Sequence, residues 1–317
     1  MKTKKVLYFL LIVVFAFFMA SCEKDEDPIN EFNVLTSYLE DNDLDWINDM
    51  TAWNISEAAA LPNIGDYLVL DLRSATDFAA TVNPIPGAVN VTLANMFDTV
   101  ESLSKTAVPT KILVTCYSGQ TAAYAHMLLR MKGYEAYLML WGMSLHSQAN
   151  DKWSTNVNSP FVGHENWVTT VSPALPTFDY PELNTGEETG EAILDKRIEA
   201  AIAAWPTALV AGTTVMDNQS SYNIMNYWVE ADYLSMGHFS EAYQLTPKTL
   251  TTDGNLSVFD PIGTNIFYCY TGQTAAAAIA YLTVLGYDVK SIKFGTNSMI
   301  YSAMPGHKWS GTPSYLN

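Results

Sequence analysis

Cysteine is scarce in this chain: three residues in 317, Cys22, Cys116 and Cys269. That excludes a disulfide-framed scaffold. With no Cys-x-x-Cys pair, it also excludes a thioredoxin-type dithiol and a zinc ribbon. Positive charge is short too. Sixteen Lys and Arg stand against 33 Asp and Glu, a formal net charge of −17. Beyond Lys2, Lys4 and Lys5 there is no basic cluster, so the composition opposes a nucleic-acid partner. The five histidines (His126, His146, His164, His238 and His307) fall at no metal-ligand spacing. Neither a metal nor any other cofactor is expected.

What is present begins with a leader. Lys2, Lys4 and Lys5 precede an uncharged apolar run, Val6–Phe18, which closes on Met19-Ala20-Ser21-Cys22. A basic start, a run too short to span a bilayer and a small-residue ending read as a secretory signal over 1–21. The Ala-Ser-Cys ending resembles a bacterial lipobox, which implies lipidation at Cys22 and membrane attachment through that lipid. Cleavage there removes three lysines and no acid, so the mature chain is more acidic still. The tract Glu23-Lys24-Asp25-Glu26-Asp27 follows, and 22–45 reads as an acidic tether, with a short helix over Glu31–Glu40. The implied location is the envelope of a Gram-negative bacterium, at the outer membrane, facing the periplasm or the surface.

The remaining 49%-hydrophobic chain is long enough for two ordinary domains. Its organising feature is Lys111–Lys132. Lys111–Thr115 reads as a buried strand, Cys116–Gln120 as a short loop, and Thr121–Lys132 as a helix closed by Gly133. A cysteine where a strand hands over to a helix meets backbone N–H groups and the positive end of the helix dipole. That setting favours a thiolate, and so nucleophilic sulfur chemistry.

The stretch recurs at Asn265–Leu285. The spacing from Cys116 to Gly133-Tyr134 matches that from Cys269 to Gly286-Tyr287, and Trp141-Gly142 matches Phe294-Gly295. Lys152-Trp153-Ser154 and Lys308-Trp309-Ser310 close the two copies. Such self-similarity marks a duplication. The layout is then 46–157 for the first domain, 158–190 for a Pro-containing linker and 191–317 for the second domain. In the first half Tyr67–Leu72 and Val89–Leu93 read as strands, Asn95–Leu103 as a helix and Glu135–Leu140 as a strand. In the second, Glu191–Ala204 reads as a helix, Leu209–Met216 as a strand ending at Asp217, and Tyr222–Tyr233 as an aromatic-rich helix. Pairing Asp217 with Asp71 leaves about eight extra residues before the Gly237–Ala242 loop. Alternating strands and helices give an α/β class: two domains, each a mainly parallel sheet flanked by helices. A disulfide between Cys116 and Cys269 is conceivable, but each sits in a matching loop of its own half.

These residues resemble the rhodanese-like sulfurtransferases. Leu68–Arg73 is similar to the family's strand ending in Asp-x-Arg. Pro84–Ala88 is similar to its His-Ile-Pro-Gly-Ala loop, with Pro84 in place of His. Cys116-Tyr117-Ser118-Gly119-Gln120-Thr121 and Cys269-Tyr270-Thr271-Gly272-Gln273-Thr274 are similar to its six-residue active loop. The second half lacks an Arg near Asp217 and has Ser240-Glu241 in place of Pro-Gly.

The resemblance implies sulfur transfer through persulfides on Cys116 and Cys269, with the other loop residues binding substrate. A small donor such as thiosulfate, a persulfide or a polysulfide supplies the sulfur, and a thiol or cyanide accepts it. Asp71 and Arg73 are expected to tie loops together near the site. Tyr117 and Tyr270 stand where thiosulfate users carry a cation, which favours a less charged donor. A loop of six residues ending in Thr speaks against the phosphate chemistry of longer, Arg-closed loops. The alternative is a non-catalytic binding module of the envelope.

Overall fold

A computed structural model describes residues 29–81, 83–104, 111–252 and 254–311. The expected leader and Cys22 lie outside these residues.

The first half runs α1 (Glu31–Asp41), β1 (Asn54–Ile55), α2 (Glu57–Ala60), β2 (Tyr67–Asp71), α3 (Ala75–Ala79), β3 (Val89–Asn90), α4 (Met96–Ser104), β4 (Lys111–Thr115), α5 (Gln120–Met131), β5 (Glu135–Met139) and α6 (Met143–His146). After β6 (Trp167–Val168), the second half continues α7 (Gly190–Ala204), β7 (Leu209–Val210), α8 (Gly212–Asp217), β8 (Asn223–Asn226), α9 (Glu230–Met236), β9 (His238–Phe239), β10 (Ala242–Gln244), β11 (Asn265–Tyr268), α10 (Gln273–Val284) and β12 (Val289–Ile292).

Two five-stranded parallel sheets result, in the orders β1-β5-β4-β2-β3 and β7-β12-β11-β8-β10. Element by element the orders are the same, as a duplication requires. The central strands β4 and β11 are apolar on both faces because helices cover both faces of such a sheet. Each central strand ends at a cysteine. This is the α/β architecture the alternation of elements predicts.

Helices α5 and α10 pack on each other and join the halves. Both are buried nearly all round, which explains why neither carries a polar stripe. Alanines at Ala122, Ala123 and Ala125, and at Ala275–Ala278, keep the contact thin. Helix α7 is held against the pair. Arg197 donates to the Val284 and Thr283 carbonyls at the end of α10 (2.9 and 2.6 Å), and the Tyr124 hydroxyl of α5 donates to the Ala201 carbonyl (2.7 Å).

Five expectations need correction. The tether assigned to 22–45 ends by Glu31, because α1 buries Phe32, Leu35 and Leu39 against α7. Its Glu31 carboxylate accepts from the Thr185 and Gly186 amides at 2.8 and 3.0 Å. The stretch 158–190 is no loose linker. Phe161 is buried in the second core, and Trp167–Val168 pairs antiparallel with β9. Leu209–Met216 is split at Ala211 into a two-residue edge strand and α8. Tyr222–Tyr233 opens as the strand β8 before turning into α9. A run of Tyr, Ile, Met and Trp satisfies a buried strand as well as a helix, and periodicity alone does not separate them.

The last correction moves the repeat's alignment. Asp71 pairs with Thr115, the residue before Cys116, while Asn226 pairs with Tyr268, the residue before Cys269. The counterpart of Asp71 is therefore Asn226, not Asp217. The eight-residue insertion then disappears.

Candidate active site

Each cysteine lies just past the carboxyl end of a central strand, where open parallel sheets place their ligands. The loop turns sharply behind it. The Cys116 and Tyr117 carbonyls point away from the sulfur and accept from the Met143 and Ser144 amides (2.7 and 2.9 Å). In the second loop the Cys269 and Tyr270 carbonyls accept from Thr296 and Asn297 (3.2 and 3.3 Å). With the carbonyls tied back, the loop's N–H groups face inward. Gly119 and Ala122 donate to Cys116 Sγ at 3.2 and 3.4 Å, and Ala275 donates to Cys269 Sγ at 3.3 Å.

Gly142 and Gly295 form the floor beneath these loops. A side chain at either position would strike the loop backbone at the cysteine carbonyl. The residues before them, Trp141 and Phe294, hold positive φ values of 67° and 61°, a conformation uncommon for bulky side chains. The matched Trp-Gly and Phe-Gly pairs are thus the turns that let the floor approach the loop.

Both sulfurs are nonetheless buried, at 1% and 3% relative exposure, and both cysteines are free thiols. The expected thiolate is not what this setting favours. Burial pushes the Cys116 thiol pKa up against the lowering effect of the Ala122, Ser118 and Gly119 amides, and the Asp71 carboxylate adds to the rise. Burial likewise pushes Cys269 up against its own amides. Desolvation penalises the charged form of a thiol more than a few amides recover.

The two loops seal each other. Gln273 Oε1 accepts from the Trp141 amide (2.7 Å), and Gln120 Oε1 accepts from the Phe294 amide (3.0 Å). Each Gln reaches out of one half to the strand-end turn of the other. Gly119 and Gly272, at φ +88° and +73°, leave the room these side chains occupy, since a Cβ at either would overlap the opposite Gln. Around this exchange the two Lys-Trp-Ser segments meet. Trp153 stacks on Trp309 (5.9 Å between centroids), packs edge-on against Phe294 (5.0 Å), and donates from Nε1 to the Ser118 carbonyl (3.2 Å).

Asp71 ends β2 and Arg73 follows two residues on. They form a buried bidentate pair, and Arg73 Nη1 also reaches Asn150 Oδ1 (2.9 Å). Asn226 and Trp228 take their places in the second half, so that half needs no buried charge pair. The second-position tyrosines turn outward. The Tyr117 hydroxyl bonds the Asp77 carboxylate at the first turn of α3, and the Tyr270 hydroxyl bonds the Asp232 carboxylate at the first turn of α9. The sequence carried this signal: an Asp lies six residues after Asp71 and six after Asn226. Only the corrected alignment brings it out. Among the described residues, no group of three His, Cys, Asp or Glu is placed to hold a metal ion.

The family model of the rhodanese-like domain matches residues 54–149. No curated protein matches the chain. Among solved structures, the chain is similar to a rhodanese-like domain protein from Staphylococcus aureus (19% identity, 28% of this chain and 86% of that one, TM-score 0.24). A thiosulfate sulfurtransferase from Pseudomonas aeruginosa aligns over 85% of this chain and 48% of its own length (14% identity, TM-score 0.29). The 3-mercaptopyruvate sulfotransferase SseA from Escherichia coli aligns over 77% and 98% (16% identity, TM-score 0.26). Residues 54–149, which hold the first cysteine loop at the end of a central strand, are a rhodanese-like domain.

Proposed function

We propose that this chain is a sulfurtransferase that carries sulfane sulfur as a persulfide on Cys116 and on Cys269. The observation behind the reading is the inward convergence of loop amides on both sulfurs. These amides do not make a thiolate of the resting thiol. They suit a persulfide better, because its negative terminal sulfur sits one bond, about 2 Å, further out, and anion-binding loops stabilise charge placed at their centre.

In the first step the deprotonated cysteine attacks the outer sulfur of the donor. A new S–S bond forms, the donor's own bond to that sulfur breaks, and sulfite or a thiolate leaves. In the second step a thiol or cyanide attacks the terminal sulfur, and the cysteine departs with the electron pair. No net oxidant is needed. Tyr117–Thr121 and Tyr270–Thr274 frame the substrate, with Asp71 and Arg73 holding the first loop's supporting strand end. The loop-on-loop seal is the resting state, and donors reach the sulfur when it loosens.

The working place is the envelope of a Gram-negative bacterium, with the chain tethered by lipid at Cys22. The domains centre on residues 46–157 and 191–317, with Phe161 and β6 packed into the second. The test is turnover: thiosulfate or polysulfide with cyanide should yield thiocyanate, at a rate reduced by Cys116→Ser or Cys269→Ser and abolished by the double variant. Burial of both thiols supports a second reading, a binding module that keeps the fold without the chemistry. Absence of turnover with every donor would favour it.

A further inference from the structure

The two mouths are alike in sequence and unlike in charge. In each, the tyrosine after the cysteine is clamped through its hydroxyl to an aspartate on a short helix earlier in the chain, Asp77 of α3 or Asp232 of α9. At the first mouth the Lys152 ammonium lies over the Tyr117 ring, 5.6 Å from its centroid, and is among the charges felt by Asp77. In the second half, the equivalent Lys308 lies over the Tyr301 ring at 4.8 Å. The Tyr270 ring is packed instead between Trp228 (5.0 Å) and His307 (4.3 Å), which fixes its hydroxyl on Asp232. Glu230, on the same short helix, adds a second acid.

We propose that the two cysteines select sulfur donors by charge: once the seal loosens, a donor bound for Cys269 passes the Tyr270–Asp232 pair, whose ring has His307 and Trp228 against it where Tyr117 has Lys152, and is favoured when cationic or neutral, whereas Lys152 offsets Asp77 and admits anionic donors to Cys116. This rests on the sulfur-transfer reading above. The discriminating residues are Asp232, placed by Tyr270, and Lys152. A single surface charge near a reacting centre, screened by water and salt, shifts relative rates by about three- to ten-fold.

Two organic hydrodisulfides of matched size test it: that of cysteamine, with an ammonium, and that of 3-mercaptopropionate, with a carboxylate. In both, the cysteine sulfur bonds to the outer sulfur and the R–S–S link breaks. The organic thiolate leaves and takes up the proton that the cysteine released. The whole chain is treated at low salt and about pH 8. Persulfide at each cysteine is trapped and read on its own peptide by mass spectrometry.

The expected result is an ammonium-to-carboxylate preference about five-fold larger at Cys269 than at Cys116, erased by Asp232→Asn and by about 0.5 M salt. Lys152→Met should give Cys116 the same preference, which supplies the test if Cys116 alone reacts, as Asp232→Asn does if Cys269 alone reacts. Equal ratios at the two cysteines, or ratios that neither substitution moves, would overturn the charge selection and leave sulfur transfer standing. No persulfide on either cysteine with either donor would overturn sulfur transfer itself.

Discussion

The reciprocal glutamines make a quantitative claim about access. Replacing Gln273 by Ala removes the acceptor of the half-buried Trp141 amide, which Gln273 Oε1 holds at 2.7 Å. A hydrogen bond of this kind contributes about 1 kcal/mol net, and an unpaired buried amide costs about 1–3 kcal/mol. The closed interface should therefore weaken by about 2 kcal/mol. If thiol labelling proceeds through opening of the seal, and opening is fast relative to labelling, both cysteines should react with iodoacetamide roughly ten- to thirty-fold faster, since each 1.4 kcal/mol is a factor of ten. Gln120→Ala should act in the same direction but more weakly, because its bond to the Phe294 amide is longer, at 3.0 Å. Labelling would be followed by intact mass at a temperature well below the melting transition, with the dependence on low denaturant separating opening from global unfolding. Two results would refute the reasoning: wild-type thiols already labelling at the rate of a free peptide thiol, or folded Gln→Ala variants labelling no faster than wild type.

Two further expectations concern pH. His126 is buried in the middle of α5, and burial, with Arg130 one turn on, pushes its pKa down to about 3. The unfolded chain takes up that proton near pH 6.5 and the folded chain does not, so this contribution is complete above 6.5 and lost as pH falls toward 3. The loss approaches roughly 4 kcal/mol. His126→Leu should flatten the acid arm of a denaturant-midpoint profile over that window, and an unchanged slope would contradict it. His146 behaves oppositely. Its ring nitrogens face the Glu57 carboxylate and the Asn83 carbonyl, two acceptors that only an imidazolium satisfies together, and the Glu57 bond raises its pKa. That stability is complete below about pH 6.5 and fades as pH rises through the folded pKa. Glu57→Gln should remove this alkaline fall-off, and its persistence in the variant would exclude the pair as the cause.

The cysteine loops, their glycines and the duplicated spacing were legible because they are local: a strand, a tight loop and a helix are written in consecutive residues. The first half followed for the same reason, with the apolar runs Leu68–Leu70 and Ile112–Val114 at the heart of Tyr67–Asp71 and Lys111–Thr115. The second half misled where it had diverged. Asn226 occupies the place of Asp71 without resembling it, and Tyr227-Trp228 conceals the end of a strand inside an aromatic run. The burial of the sulfurs was not legible at all. Nor was the meeting of the two halves through Gln120 and Gln273, contacts between residues more than 130 positions apart that no local pattern encodes. The pKa direction went with the burial, since amides near a thiol are readable from the loop motif while desolvation depends on the packing around it.

The central claim is that amide-lined sulfurs in this chain accept a sulfur atom. The most direct measurement is the intact mass of the reduced, purified chain after exposure to thiosulfate or polysulfide, with and without a thiol chase. The account predicts a gain of one sulfur atom for each reactive cysteine, removed by the chase and lost in the Cys116→Ser, Cys269→Ser double variant. An unchanged mass with every donor, in protein whose cysteines label fully once the interface is opened by Gln273→Ala, would contradict it.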